Sequence, residues 1–363
     1  MKLLRLTPTL KSTTSSYNQF SLGFKDKIDQ TVGSLLKDEV PIDEKITVFH
    51  GNGSVFKLFK LIKKNINRVE YDIVHIHNSI TGIIFILAIF PFKLGLLKKT
   101  VFTLHNSWDV FKTRNQFLNI IVMLLSSKIC TCGESSQQSL PKIISYFFGK
   151  KTKAVVNGFD NKRIDRVANK APFGAHFDVS SKVKIVYVGA LTDTKNQIAL
   201  LKVLNSTNID AEVLFLGDGV NKQSLIDYSK SASNSIKICF KGCVSRDETI
   251  EHMLEADVFI SLSKGEGLPI AVLEAMYCGC FLILSTIPPH KEISPPRERC
   301  LFVDTSNEKE ITNSLNYVTH EIVKLQGQRD MSKQHSIQNF GLDNMLEGYM
   351  EVYKSLHSGS KGS

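Results

Sequence analysis

Metal-ligand spacing is missing from this chain. Its seven cysteines, Cys130, Cys132, Cys239, Cys243, Cys278, Cys280 and Cys300, are odd in number and scattered. No Cys pair has a second pair at zinc-finger distance. They read as buried thiols of a reducing cytoplasm rather than as a disulfide framework. No Asp-x-Asp stands near a strand end, and His75 and His77 have no third ligand at recognisable spacing. No metal or other cofactor is expected. Long apolar runs are also missing. Ile80 to Leu97 is broken by Gly82, Pro91 and Lys93, and its continuous stretch, Ile83 to Phe92, is about ten residues where a membrane span needs roughly 20. It reads as a buried helix. Met1 to Leu10 lacks the apolar core of a signal peptide and reads as a first strand. Repeats and low-complexity runs are absent, and Ser358 to Ser363 reads as a tail.

Acidic residues are scarce in the first half. Residues 1–170 hold 26 Lys+Arg against 12 Asp+Glu, whereas residues 171–363 hold 19 against 23. Basic clusters occur at Lys60, Lys63, Lys64 and Arg68, at Lys93, Lys98 and Lys99, and at Lys150, Lys151 and Lys153. No nucleic-acid motif or interleaved aromatic stacking pattern accompanies them, so no nucleic-acid partner is expected. Solvated surface remains one reading; attraction to diphosphates and an anionic membrane surface is the favoured one.

With 363 residues the chain has room for about two domains. Short β-branched runs alternate with helical patterns, which implies α/β units with parallel sheets. The first strand series is Leu3–Thr7, Ile46–His50, Ile73–His77, Val101–Leu104, Ile129–Thr131 and Ala154–Val156. A second comprises Lys184–Val188, Glu212–Leu216, Lys237–Phe240, Val258–Ser261, Phe281–Ser285 and Cys300–Val303. Polar Asn161 to Lys182 reads as the linker. The domains expected are therefore 1–165 and 175–335. Residues 340–357 carry Phe340, Met345, Tyr349 and Tyr353 near helical spacing.

The densest chemistry lies at 263–279, Ser-Lys-Gly-Glu-Gly-Leu-Pro-Ile-Ala-Val-Leu-Glu-Ala-Met-Tyr-Cys-Gly. A buried strand feeds a glycine-broken loop, and Pro269 suits the start of a helix. Glu266 falls on the loop and Glu274 falls on the helix, about 12 Å along by its rise. A helix N-terminus suits a diphosphate, and two carboxylates can grip two hydroxylated parts of one elongated ligand such as a sugar nucleotide.

This stretch resembles the E-x7-E signature of family 4 retaining glycosyltransferases, which have the GT-B fold. Other stretches agree in order: VYVGALTDTKN from Val186 to Asn196, LFLGDG ending at Gly219, FKGCV ending at Val244, VNGFD ending at Asp160, DIVHIH ending at His77 and VFTLH ending at His105. The resemblance covers about residues 70–300. It implies two facing Rossmann-like domains with a cleft between them, the helix at 340–357 crossing back to the first, and a nucleotide-sugar as co-substrate. It implies catalytic roles for Lys195 on the leaving diphosphate, Glu266 on the donor sugar and His105 at the reaction centre. Glu274 would hold the ribose. Gly189, Ala190, Asn196, Gly217, Asp218, Val244, Gly265, Gly267 and Leu268 would complete the donor site.

Two departures stand out. The family usually has an arginine where this chain has Ala190; the alternatives are that another cation, Lys264 or Lys222 for instance, substitutes, or that donor affinity is weak. The paired glycines after strand one are replaced by a hydroxyl-rich loop, whose Thr13, Thr14, Ser15 and Ser16, with His77, are candidates for acceptor or phosphate contact; an N-capped ordinary loop is the alternative. His75 reads as structural. The expectation is a retaining hexosyltransferase at the cytoplasmic face of a bacterial membrane, with a glycan acceptor that is polyprenyl-diphosphate-linked. Alternatives are another GT-B enzyme, such as an epimerase or disaccharide synthase, and a sugar-nucleotide binder without turnover.

Overall fold

The computed structural model describes residues 1–11, 16–37, 43–170, 182–231, 235–325 and 329–359. The chain divides into two compact units. The first comprises residues 1–158 with the helix Leu342–Gly359, and the second comprises Phe159–Gly341.

In the first unit, β1 (Lys2–Thr7), β2 (Asp29–Ser34), β3 (Ile46–His50), β4 (Ile73–Ile76), β5 (Thr100–Leu104), β6 (Lys128–Thr131) and β7 (Thr152–Ala154) form one parallel sheet in the order β3-β2-β1-β4-β5-β6-β7. Successive strand residues point to opposite faces. Leu4, Val74 and Phe102 join a core under the helices Val55–Arg68, Ser79–Ile89, Thr113–Leu125 and Lys142–Phe148. Their neighbours Leu3, Ile73 and Val101 join a second core under Leu342–Gly359, with Phe20 and Phe24. Both faces are covered, which is why these strands are rich in apolar residues without strict alternation.

The second unit repeats the plan. β8 (Val183–Val188), β9 (Ala211–Leu216), β10 (Ile236–Gly242), β11 (Val258–Ser261), β12 (Phe281–Ser285) and β13 (Cys300–Val303) form a parallel sheet in the order β10-β9-β8-β11-β12-β13. Tyr187, Phe215 and Phe240 stack across three neighbouring strands, with ring centroids 5.8 and 4.7 Å apart. Such cross-strand aromatic pairs fix register.

Several expectations need correction. β2 was not legible because its sequence is polar. Its Gln30 is buried and donates to the Ser21 carbonyl at 2.7 Å, and Gly33 leaves room for the Phe49 ring. The last strand of the first unit is Thr152–Ala154, two residues earlier than the pattern suggested. The linker region opens with a regular helix, Asn161–Lys170, which buries Ile164 and Val167 within the second unit. Phe340 ends the helix Arg329–Phe340, and the final helix starts at Leu342. That final helix runs to Gly359, past the start of the expected tail, and residues 360–363 lie outside the described residues. The apolar stretch from Ile80 is α-helical only to Ile89, with a separate 3-10 helix over Leu94–Lys99, and it exposes Leu87, Phe90, Phe92 and Leu94. Cys239 and Cys243 are exposed, because β10 is an edge strand and Cys243 follows it. The other five thiols are buried. Among the described residues no helix is long and apolar enough to cross a membrane.

Candidate functional site

In each sheet the chain reverses its direction of growth once, and the carboxyl ends of the two strands at that switch leave a crevice for ligands. In the second unit the switch lies between β8 and β11. The loops that follow these two strands carry Lys195 and Glu266.

The two loops are welded together. The Tyr187 hydroxyl donates to the Lys195 carbonyl and accepts from the Leu262 amide at 2.9 Å. Asn196 donates its side-chain amide to the Leu262 carbonyl at 3.1 Å. The Lys264 amide donates to the Thr194 carbonyl at 2.8 Å. That last link, from one loop's backbone to the other's, sets Glu266 opposite Lys195. The Lys195 ammonium and the Glu266 carboxylate form an ion pair, and Ser263 donates its hydroxyl to Glu266 Oε1 at 2.7 Å. Glu266 is 8% exposed. Behind it, Ser285 donates to the Ser263 carbonyl at 2.6 Å and meets His290 Nδ1 at 2.9 Å. Burial lowers the His290 pKa to about 4, so this histidine is a neutral strut.

Glycines shape the neighbouring turns. Gly189 and Gly217 adopt φ of 154° and 141°, and a Cβ on Gly217 would come within 2.0 Å of the Gly189 carbonyl oxygen. The turns after β8 and β9 therefore touch backbone to backbone. Ala190 is exposed, and its carbonyl accepts from Gln197 at 3.0 Å. Asp218 is exposed and paired with Lys222 at 2.9 Å, which holds its carboxyl below the usual range. Of the two substitute cations, Lys222 is thus engaged, whereas the Lys264 ammonium meets no acceptor among the described residues. Gly265, Gly267 and Leu268 lie on the buried loop that leads through Pro269 into the helix Ile270–Tyr277.

Glu274 is on that helix and is 2% exposed. Its Oε1 pairs with Arg246, and its Oε2 has no hydrogen-bond partner among the described residues. Arg246 opens the helix Arg246–Glu255, two residues after half-buried Val244. Burial lowers its pKa to about 10, which leaves it charged near neutral pH. Sequence reasoning missed Arg246. A signal existed, because an arginine in the first turn of a helix opposes the dipole and needs a reason. Tyr187 and Ser263 were also missed, and they have no sequence signature apart from the loops they join.

In the first unit the switch lies between β1 and β4. A cavity of about 250 Å³ there is lined by Thr7, Thr9, His77, His105, Asn115 and Asn119 among others. The Arg5 guanidinium donates to His77 Nε2 at 3.2 Å, and His77 Nδ1 meets His105 Nε2 at 2.9 Å. Arginine can only donate, so neutral His77 carries its proton on Nδ1 and passes a donor to His105. His105 then carries its own proton on Nδ1. Burial, with Arg5 next in weight, lowers the His105 pKa to about 4. Burial and the neighbouring positive groups push His77 well down as well. His75 is fully buried between Tyr353 at 2.6 Å and Thr103 at 2.7 Å. Arg5, a charge inside an apolar strand, was a legible but unread signal. Thr13, Thr14 and Ser15 lie outside the described residues, and Ser16 begins the helical segment Ser16–Leu22. Among the described residues no three His, Cys, Asp or Glu side chains gather as a metal-ligand set.

Residues 173–335, under half of the chain, match the family Glycosyl transferases group 1. The capsular polysaccharide biosynthesis glycosyltransferase CapH of Staphylococcus aureus is 28% identical over 271 residues, which cover 70% of this chain and 68% of that protein. An Escherichia coli UDP-Gal:alpha-D-GlcNAc-diphosphoundecaprenol alpha-1,3-galactosyltransferase is 26% identical over 249 residues, covering 64% of this chain and 62% of its own length. Among solved structures, Anabaena Alr3699/HepE in complex with UDP has a TM-score of 0.74 at 17% identity, covering 98% of this chain and 100% of that one. Sucrose-phosphate synthase from Thermosynechococcus elongatus has a TM-score of 0.77 at 12% identity, covering 99% and 100%. At such identities the structural likeness shows the fold, which is the GT-B kind with two Rossmann-like α/β domains.

Proposed function

We propose that this chain is a retaining glycosyltransferase of family 4. It moves a hexose from a UDP- or GDP-sugar to a glycan acceptor carried on a polyprenyl diphosphate, in bacterial O-antigen or capsule synthesis. The observation that carries this reading is the pair of buried carboxylates at the switch point of the second sheet, each matched to its own cation: Glu266 with Lys195, and Glu274 with Arg246. The names of the relatives, which act in capsule synthesis and on a diphosphoundecaprenol-linked sugar, support the acceptor class.

In this mechanism the acceptor hydroxyl attacks the anomeric carbon on the face from which the diphosphate departs. The bond from that carbon to the diphosphate oxygen breaks, and the acceptor proton passes to the leaving phosphate. Charge grows on the diphosphate as it leaves, so a fixed cation and backbone N–H groups lower the barrier. Lys195 is that cation, and Gly267 and Leu268 offer the N–H groups ahead of the helix. Lys264, on the same loop, takes the part that Ala190 vacates. Glu266 accepts from the donor sugar hydroxyls. Glu274 Oε2 accepts from the ribose while Arg246 keeps the carboxylate oriented. Neutral His105 serves as a hydrogen-bond donor in the first unit, where the polar cavity takes the acceptor. No step calls on a metal, and transfer in the presence of EDTA is expected. The Ala190 substitution also motivates a second reading, a sugar-nucleotide binder without turnover.

Calorimetry with UDP-, GDP- and ADP-sugars, followed by product analysis on a lipid-linked acceptor, tests the proposal. One donor should bind selectively, with binding lost in Glu274→Ala. Linkage formation with retained anomeric configuration should fall by at least about 10²-fold in Lys195→Met and Glu266→Gln. Selective binding without any product would favour the binder. No binding by any donor would overturn both readings.

A further inference from the structure

The cavity at the switch of the first sheet carries no charge of its own. Among the described residues that line it there is no Asp, Glu, Lys or Arg. Its two imidazoles, His77 and His105, are held neutral by burial first and by neighbouring positive groups second. The Arg5 guanidinium is fully buried behind His77, and it is engaged by His77 and by Ser21 at 2.8 Å. A phosphate or carboxylate placed in this cavity would lose its water without meeting a cation. Lys and Arg outnumber Asp and Glu over residues 1–170, so a neutral cavity there is a property of the site and not of the composition.

The same cavity holds an amide that the fold itself does not use. Thr113–Leu125 buries Asn119, Val122 and Met123. Asn119 is 2% exposed and lines the cavity, yet its Nδ2 has no hydrogen-bond partner among the described residues. A buried amide without a partner costs stability, and an apolar side chain of similar size would be favoured if packing were the only demand. Asparagine is also a poor helix former, so helix propensity does not account for it. One turn earlier, half-buried Asn115 lines the cavity too, and among the described residues its Oδ1 has only a 3.5 Å contact, from its neighbour Arg114. Residues four apart lie on one helix face, with Cβ atoms roughly 5–6 Å apart. Two carboxamides therefore stand one above the other along one wall. The Thr9 hydroxyl is likewise without a partner among the described residues, and Phe102, Leu104 and Phe111 add apolar surface to the lining.

We infer that this cavity seats an uncharged sugar ring bearing an acetamido group, with Asn119 Nδ2 donating to the acetamido carbonyl and Asn115 Oδ1 accepting from its N–H. A secondary amide carries its donor and its acceptor at opposite ends, an arrangement that two carboxamides one turn apart can bracket. Its methyl group gains by contact with Leu104 and Phe111, where a hydroxyl would lose its water. A plain hexose offers only a hydroxyl at that place, too short to span both amides. The inference rests on the reading of this cavity as the acceptor site, and it makes Asn115 and Asn119 specificity-determining residues for N-acetylated amino sugars.

Saturation-transfer NMR on the purified full chain tests it without any donor or transfer step, with methyl N-acetylglucosaminide, methyl N-acetylgalactosaminide, methyl glucoside and methyl glucuronide as probes. At least one N-acetyl glycoside should bind at least about fivefold more tightly than the glucoside, and the glucuronide should bind no better than the glucoside. Asn119→Leu should abolish that preference while its urea midpoint stays at or above wild type, since the unpartnered amide is gone. An amide with a purely structural role would instead lower the midpoint and spare the preference. Asn115→Ala, at a half-buried position, should reduce the preference without any repacking around Asn119. Equal binding of N-acetyl and plain glycosides, tightest binding of the glucuronide, no binding of any glycoside, or a preference that survives in both variants would overturn the inference. Transfer is followed separately. Equal kcat/KM on plain and N-acetylated lipid-linked acceptors would overturn the inference and leave the transfer reading intact, whereas absence of donor binding and of product would sink the transfer reading and leave the glycoside series to decide this one.

Discussion

Replacing Arg246 by methionine keeps a long buried stem and deletes its charge. Glu274 would remain 2% exposed with Oε1 stripped of its guanidinium and Oε2 already without a partner among the described residues. Breaking a buried ion pair from one side costs about 3–5 kcal/mol, because the surviving charge is left uncompensated. For a unit the size of Phe159–Gly341, each kcal/mol moves the melting temperature by roughly 2–4 °C, so a fall of about 6–20 °C is expected. The urea midpoint should fall in parallel with no change in slope. In Arg246→Met with Glu274→Leu both charges are gone, and such replacements of a whole buried pair are often neutral or better. The double variant should therefore be more stable than Arg246→Met alone. If Glu274 holds the ribose as proposed, sugar-nucleotide binding should be lost in both, since its carboxylate is misplaced in one and absent in the other. A wild-type midpoint in Arg246→Met, or a double variant less stable than the single, would refute this account of the pair.

Tyr187→Phe deletes the hydroxyl that joins the two loops, leaving the Leu262 amide and the Lys195 carbonyl unpaired at about 1–3 kcal/mol each if neither finds another partner; urea unfolding should show the loss, and kcat should fall more than KM rises. Gly217→Ala should destabilise far more than Gly189→Ala, because its Cβ would meet the Gly189 carbonyl oxygen at 2.0 Å whereas a Cβ on Gly189 meets only the Lys195 chain at 3.4 Å; comparable midpoints for the two would count against the backbone contact. His105, held near a pKa of about 4 by burial and Arg5, is neutral when folded and titrates near 6.5 when unfolded. Its contribution is full above pH 6.5 and is lost as pH falls toward 4, at up to about 1.4 kcal/mol per pH unit in that window; His290 adds the same sign. Urea midpoints measured from pH 7.5 down to 4.5 should fall, and a flat profile would contradict the buried neutral state.

How much of this was legible varies by residue. Strands such as Ile73–Ile76 and Val258–Ser261 announced themselves because both faces of a parallel sheet are buried and the run is mostly apolar and β-branched. Asp29–Ser34 did not, because its buried Gln30 reaches its partner, the Ser21 carbonyl, only after the chain has folded around it. Glu266, Glu274 and the glycines beside Glu266 could be named from local pattern, since a strand, a broken loop and a helix start in that order constrain the backbone locally, whereas Lys195, Gly189 and Gly217 were named through the resemblance. What spacing could not show was which groups each would meet. Glu266 and Lys195 are 71 positions apart and Arg246 and Glu274 are 28 apart, so each contact depends on the order of strands in the sheet. The same holds for the chain from Arg5 through His77 to His105. The sequence by itself determined the parallel α/β plan, the position of the glycine-broken loop at Glu266 and the basic bias of the first half, because these follow from local pattern and composition. Only the tertiary structure decided that two carboxylates each acquire a cation, that His77, His105 and His290 are kept neutral, and that Asn115 and Asn119 line one cavity, because burial and long-range pairing are properties of the assembled sheet.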